Sequence, residues 1–388
     1  MTIRSTISPV LKIGLQFLGI WPDVSYSTIY WLSLTLSILI MQYFQYWYIL
    51  KHLKFSELSN LIDGLTVTLD YSLTIFKLIG LWLHRRVFHQ LLAAMDNDWR
   101  ECINFDQHLY IMTINANISH FFSNAVLSVV TIIGILYLLG EYVIRNFVLL
   151  IEDHNDTLRQ FPIKIYFPFE TQQWPVFEFL FVTIFLHVIL HVCVVFLING
   201  LIFTLVLHIS GQIDIMCHEF KNISESILLY KSSATLFGLL IKRHNRIISF
   251  SENIEKFFSF VALMQVVWNT LVICCLGFVI IISFHNGTGI FVTVKTIFAC
   301  FAIIFEVFIV CFVGDYLRLK GELIASATYD SLWYNMSPRQ SKIMLFIIIR
   351  SQKRLTFTAG KMMDMSLETF TNIMKASISY ASVLNAMY

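Results

Sequence analysis

Apolar runs long enough to cross a bilayer recur seven times along this chain, at 29–50, 65–83, 118–140, 176–207, 257–283, 290–314 and 367–387. A crossing helix needs about 20 mostly apolar residues, so the pattern predicts an all-α membrane protein with seven transmembrane helices. Two runs are interrupted by charge: Asp70 and Lys77 in the second, Lys375 in the last. A charge at a span centre costs about 2.5–3.5 kcal/mol on insertion scales, so helices that carry one turn it toward protein or water. The fourth run is longer than a bilayer requires, since some 30 residues rise about 45 Å. With only Gly211 and Gly238 to interrupt 208–256, the fourth and fifth helices are expected to continue beyond the membrane. The segment 339–355 has an apolar run too short to cross, and predicts a surface helix with one sticky face. Gly360 is placed to end that helix, Ser366 to cap the final one, and Glu368 to sit favourably in its first turn.

Charge gives the orientation. The N-terminal segment and every second gap after it hold 19 of the 27 lysines and arginines, the remaining gaps hold 5, and Lys77, Lys295 and Lys375 lie inside spans. The basic side is the cytoplasmic side. The expected topology is therefore inverted, with the N-terminus cytoplasmic and the C-terminus extracellular. A chain 57% hydrophobic and only 13% charged, with 35 phenylalanines, is not a soluble domain of this length. Residues 1–28 lack a secretory leader pattern, so the first span is expected to serve as the insertion signal. A net charge of +2 points to no nucleic-acid partner. The seven cysteines fall in spans or cytoplasmic gaps without CxxC spacing, and read as free thiols.

Enzyme chemistry has no support: P-loop, GxGxxG and GxSxG patterns are absent. No cofactor and no metal is expected. His187 and His191 have the spacing of two ligands on one helix face but no evident third, which favours packing or a polar ligand spot. Asp70 and Lys77 share one face, as nearly do Lys295 and Glu306, and either ion pairs with neighbouring helices or a polar cavity would account for them. The outer gap 141–175, acidic and punctuated by Pro162, Pro168 and Pro175, reads as a structured lid or as a solvated loop. In the last span Asn372, Ala376, Ser379, Val383 and Ala386 form one narrow stripe of small and polar residues, while Phe370, Met374, Ile378 and Leu384 lie off it. Such a stripe serves close helix packing or a pore lining, and periodicity alone supports both. Leu69, Leu73, Phe76, Val130, Gly134, Tyr137, Phe177, Phe181 and Phe291 gather in the outer halves of several spans, where an apolar pocket would suit a small volatile hydrophobe.

The C-terminal quarter adds a resemblance. Tyr329, Leu332-Trp333-Tyr334, Arg350-Ser351-Gln352, Thr358-Ala359-Gly360, Ser366-Leu367-Glu368-Thr369-Phe370, Ser379-Tyr380 and Val383-Leu384 together resemble the insect odorant receptor family. The N-terminal half matches that family only in layout and scattered residues. The resemblance implies a subunit of a ligand-gated, nonselective cation channel, a heterotetramer with a shared co-receptor, in the plasma membrane of sensory-neuron dendrites. It implies a pore lined by the last helix with a hydrophobic gate at Val383. It also implies a cytoplasmic subunit anchor involving Tyr329, Trp333, Arg350, Gln352, Gly360, Phe370 and Tyr380. Membrane lipid and a small volatile odorant are the other expected partners. The short 208–256 region resembles a tuning receptor rather than the co-receptor, and the C-terminus lacks the downstream Gln-Phe of gustatory receptors, the neighbouring alternative. A transporter should show inverted repeats with broken helices, and a metabotropic receptor an outside N-terminus; the sequence offers neither.

The chain thus divides into a cytoplasmic segment (1–28), six spans with loops (29–338), an anchor helix and break (339–365) and a pore helix (366–388). Glycosylation tests the orientation. Of the sequons at Asn155, Asn286, Asn222 and Asn335, the first two lie outside in this topology, and Asn286 is too near the membrane to be modified easily. Glycan is expected on Asn155 alone in cell-expressed protein, by peptide mass spectrometry; glycan on Asn222 or Asn335 would invert the topology.

Overall fold

Each of the seven apolar runs lies inside one continuous helix. The structure is a computed structural model that describes residues 5–22, 25–53, 58–151, 161–229, 233–286 and 290–387. Side chains at 58–60, 63, 130, 133–151, 224–229, 233–235, 286, 290–292 and 387 lie outside that description. In chain order the helices are α1 (Pro9–Phe17), α2 (Ser27–Lys51), α3 (Leu58–Leu83), α4 (Arg85–Cys102), α5 (Asp106–Ile151), α6 (Val176–Leu229), α7 (Ser233–Asn286), α8 (Ile290–Tyr329), α9 (Pro338–Ser351) and α10 (Leu367–Met387). A 3₁₀ turn at Trp333–Asn335 precedes α9, and a two-stranded antiparallel hairpin, β1 (Thr358–Ala359) with β2 (Met363–Asp364), links α9 to α10.

Among the described residues five helices, α2, α3, α6, α7 and α8, are long and apolar enough to cross a membrane. The helix α10 is not one of them, although it has 21 residues, because Asn372, Lys375 and a series of hydroxyls interrupt it. The helices α6 and α7 have 54 residues each, about 80 Å at 1.5 Å per residue, and so run far past a hydrocarbon core of about 30 Å. The expected extensions are there, and α5 and α8 overrun their apolar runs as well.

Two helices had no counterpart in the apolar runs. In α1 the Leu11 N–H donates to the Ser8 hydroxyl at 3.2 Å, Pro9 starts the helix, and Leu11 and Leu15 are buried. In α4 the apolar residues Phe88, Leu91, Met95 and Trp99 recur along one buried face, so no continuous run betrays them. Gly360 does not end α9, contrary to the reading above. That helix stops at Ser351, and Gly360 sits at the hairpin tip with φ 59°. There its N–H donates to the Ser259 carbonyl at 2.9 Å, and a Cβ would come within 2.7 Å of Leu263. The constraint on Gly360 is thus a left-handed turn pressed against α7.

The helix α3 packs chiefly on α7, α5 on α6, and α8 on both α6 and α7, with α10 laid along α7. At Gly80 an added Cβ would lie 2.9 Å from Val261, which marks the close approach of α3 to α7. The far half of the 141–175 gap packs onto this bundle: Ile163 is buried, Phe161 stacks on Phe177 at 5.0 Å, and the Tyr166 N–H reaches the Phe44 carbonyl at 3.4 Å.

The intramembrane charges resolve into cross-helix pairs. Lys77, fully buried on α3, pairs with Glu306 on α8, and Asn199 of α6 lies 3.5 Å from the same carboxylate oxygen. Two turns away along α3, Asp70 meets His191 of α6 at 2.9 Å, while the other imidazole nitrogen bonds Thr74 at 3.0 Å and Tyr71 stacks on the ring at 4.4 Å. Lys295 diverges from Glu306 and donates to the Pro162 carbonyl at 3.1 Å. At the far end of the bundle, Arg246 of α7 grips Asp98 at 3.2 Å and Glu101 at 2.7 Å on α4. The buried His208 bridges Asp98 to Thr6 there.

Removing one member of a buried pair leaves a stranded charge, at about 3–5 kcal/mol, whereas replacing both by apolar residues is often neutral. Glu306→Ala is expected to cut the yield of monodisperse protein and lower its thermal midpoint in detergent. Glu306→Leu combined with Lys77→Met should recover most of both. If Glu306→Ala melts like the parent, the pair contributes nothing to folding.

Candidate functional site

The helix α10 begins where the hairpin releases the chain. Ser366 caps it, with the Thr369 N–H donating to the Ser366 hydroxyl at 3.2 Å, and the Thr369 hydroxyl donates back to the Asp364 carbonyl at 2.7 Å. Glu368 occupies the first turn, where the helix dipole favours an anion. One face then packs inward: Ile373, Ser377 and Ala381 are buried, with Phe370, Met374 and Leu384 half-buried beside them. Phe370 meets the ring of Phe308 edge-on at 5.6 Å, and the Ser377 hydroxyl donates to the Thr270 carbonyl at 3.4 Å.

The small and polar stripe points the other way. Asn372, Ser379, Val383 and Ala386 are exposed and Ala376 is half-buried, with Val383 at 56% exposure. The stripe is therefore not a packing seam within this chain. Thr371, Lys375 and Ser382 widen the same outward face. Thr371, Ser379 and Ser382 donate to the carbonyls of Leu367, Lys375 and Ile378 four residues back, at 2.9–3.0 Å. Their oxygens remain free to accept from water. Lys375 belongs to this surface, and the stripe pattern left it out because a long cation breaks a small-residue period. It lies eight residues, about 12 Å, from Val383 along the helix.

The predicted pocket residues are not gathered into one cavity among the described residues. Leu73 is buried, and Phe76 packs edge-on against Trp268 of α7 at 5.1 Å. Phe177 stacks with Phe161 on one side and Phe181 on the other, and Leu69 is half-buried on α3. The side chains of Val130, Gly134, Tyr137 and Phe291, together with Asn155, lie outside the described residues. A cavity of about 360 Å³ lies instead between α2 and α6, lined by Leu36, Ile40, Met41, Phe44, Phe167, Leu180 and Ile184, with Ser33, Ser37, Thr183 and His187 as its polar groups. His187 and His191 share a helix but not a partner: His187 Nε2 bonds Ser37 at 3.0 Å on α2, and His191 turns to α3. Among the described residues no cluster could hold a metal ion.

The exposed surface of α9 mixes apolar and cationic residues, with Arg339, Lys342 and Arg350 among them. Met344 and Ile347 are buried, while Leu345, Phe346 and Ile349 stand exposed on the opposite face, the sticky face expected of this helix. Tyr329, Tyr334 and Tyr380 are exposed as well. Arg350 lies 4.0 Å from Glu252, Ser351 bonds His244 at 3.3 Å, and Gln352 is exposed. Trp333 is half-buried between Tyr329 and Tyr334, and its carbonyl accepts from the Ser341 hydroxyl at 2.8 Å.

Residues 57–378 match the family profile described as 7tm Odorant receptor. Odorant receptor 13a of Drosophila melanogaster is 24% identical over 98% of this chain and 95% of its own length. Odorant receptor 24a of the same fly is 27% identical over 57% of this chain and 56% of its own. Among solved structures, the olfactory receptor OR5 from Machilis hrabei in complex with eugenol superimposes with a TM-score of 0.80 at 15% identity, covering 97% of both chains.

Proposed function

The chain belongs to the 7tm odorant receptor family, and from that premise we propose that it is a tuning subunit of an odorant-gated cation channel. It crosses the plasma membrane of sensory-neuron dendrites seven times with its N-terminus in the cytoplasm. It assembles with co-receptor subunits into a heterotetramer, with α10 of each subunit around the central pore. The observation that carries this reading is the outward face of α10. Asn372, Ser379 and Val383 are exposed on a helix whose opposite side is fully engaged with α7 and α8. A face bearing Asn372 and Lys375 is costly against lipid and inexpensive against water. Copies of it around an axis enclose a wet channel, and Val383 supplies an apolar ring that can shed water and block ions.

The exposed Leu345, Phe346 and Ile349 of α9, set among Lys342 and Arg350 with Tyr329 and Tyr334 nearby, have the character of a surface that meets another subunit. Trp333, Arg350, Gln352, Gly360, Phe370 and Tyr380 complete the anchor as the family pattern implies. The odorant is a small hydrophobe held in the outer half of the bundle by Leu69, Leu73, Phe76, Val130, Gly134, Tyr137, Phe177, Phe181 and Phe291. The eugenol complex of the similar structure supports a ligand of that size. The charge distribution supports the orientation, and Asn155 is the expected glycan site.

Two substitutions test the pore. Val383→Thr keeps volume but wets the constriction. In channels co-expressed with a co-receptor it should raise unliganded leak or alter cation permeability, and leave the odorant rank order intact. Lys375→Gln removes a cation from the permeation path and should raise inward single-channel conductance. If both leave leak, permeability and conductance unchanged in channels that reach the surface, another helix lines the pore.

A further inference from the structure

Where α2 begins and α3 ends, the bundle carries cations that no carboxylate holds. Lys12 of α1 lies 5.3 Å over the ring of Trp21, and Arg85, the first residue of α4, lies 4.1 Å over Trp82. Neither they nor the exposed Arg86 has a carboxylate partner among the described residues. Aromatic contacts join these cations into one patch. Trp82 stacks on Trp31 at 4.7 Å, Trp31 donates to the Leu78 carbonyl at 3.3 Å, and Trp21 meets Phe88 of α4 edge-on at 6.3 Å. A Cβ on Gly19 would lie 3.3 Å from the Trp31 backbone nitrogen, so the turn after α1 closes onto the same place.

Three markers put the patch at the edge of the hydrocarbon. Trp31 stands near the start of the apolar run of α2, and Trp82 near the end of that of α3. The helix α1 packs on α6 at Leu197, whose side chain a Cβ on Gly14 would overlap. From Val176, where α6 starts, to Leu197 is a rise of about 32 Å, close to the thickness of a hydrocarbon core. Ile13, Phe17, Tyr30 and Leu83 are exposed around the charges and give the patch an apolar rim.

An indole face attracts a cation but offers no oxygen, so Lys12 and Arg85 keep N–H donors for an anion. The oxygen anion that membrane depth supplies is a lipid phosphate. A choline headgroup cancels its own phosphate, whereas neighbouring cations favour a headgroup with net negative charge. We propose that this patch binds an anionic phospholipid, the headgroup on Lys12, Arg85 and Arg86 and an acyl chain along Ile13 and Phe17. Its place in the cytoplasmic leaflet rests on the topology proposed above; the binding itself does not.

The test uses full-length receptor in phosphatidylcholine nanodiscs that contain a minor fraction of phosphatidylserine with a diazirine high on one acyl chain. After irradiation, peptide mass spectrometry should place adducts within 12–17 or 83–89. Excess unlabelled phosphatidylserine should suppress them and excess phosphatidylcholine should not. Arg85→Gln should lower that labelling by about fivefold, the order expected for one lost cation at a membrane surface. Arg85→Lys should keep most of it, and Lys12→Gln should act in the direction of Arg85→Gln. All variants are compared at matched monodispersity. Lys242→Gln, which removes an exposed cation from α7, should change nothing. An equal loss in Lys242→Gln would mean that general surface charge attracts the lipid, and would overturn the proposal. Labelling spread evenly over lipid-facing helices, or suppressed equally by phosphatidylcholine, would overturn it too. Displacement by inorganic phosphate at constant ionic strength would make a soluble anion the occupant, with the same consequence. A nanodisc offers the same lipids on both faces, so absent labelling would sink the site and leave the topology standing. Glycan on Asn222 or Asn335 would instead move a labelled site to the outer leaflet.

Discussion

A lysine with no exposed surface in the middle of a membrane bundle must have a fixed counter-charge, and Lys77 has one in Glu306. Little else in the structure is as demanding. Lipid offers no alternative partner, so sliding α3 along α8 by one turn would strand two charges. Asn199 adds a third helix to the same oxygen, and two turns away Asp70 and His191 tie α3 to α6 again. Apolar packing alone would not specify register this sharply, because lipid tails are as apolar as leucine and helices in a membrane gain little from burying it. The ionic contacts set where α3, α6 and α8 stand, and the surfaces of Leu78, Leu201 and Val310 then pack to fit.

The other end of the bundle shows the same logic in water's reach. Arg246 holds two carboxylates of α4, and His208 relays between Asp98 and Thr6, so the N-terminal segment is tied to α4, α6 and α7 by polar contacts. The break between α9 and α10 is similarly tethered. The Gly360 N–H binds Ser259, and the Thr358 hydroxyl donates to Glu255 at 3.0 Å, so the hairpin rides on α7. The start of α10 is therefore placed by α7 through the hairpin that precedes it.

Periodicity made the helices legible because length and hydrophobicity are one-dimensional properties. It gave six spans and the pieces of the last, and the overlong α6 and α7. It could not find α1, whose nine residues are too few to stand out as a run, or α4, whose apolar residues lie on one face among polar ones. Charge spacing found Asp70 and Lys77 on one face but not their partners, which are 121 and 229 residues away. The stripe on α10 was readable, while its direction was not, since a small-residue face packs or lines a pore with the same period. The cavity between α2 and α6 was invisible for a related reason: Ser37 and His187 stand 150 residues apart, and neither is unusual alone. Gly360 was read as the end of α9, and instead its positive φ turns the hairpin that follows.

The polarity of α10 bears on assembly as well as on conduction. Thr371, Asn372, Lys375, Ser379 and Ser382 all lie on exposed positions of one 21-residue helix. Three of the hydroxyls bond their own helix carbonyls, which lessens their cost in an apolar medium. Asn372 and Lys375 have no such relief; for Lys375 alone a mid-membrane position costs about 2.5–3.5 kcal/mol on insertion scales. A lone subunit would bear that cost against lipid. Several subunits that turn α10 toward a shared axis remove it, because the same residues then face water. In the proposed assembly the polar face of α10, ill suited to lipid, is thus itself a reason for subunits to gather.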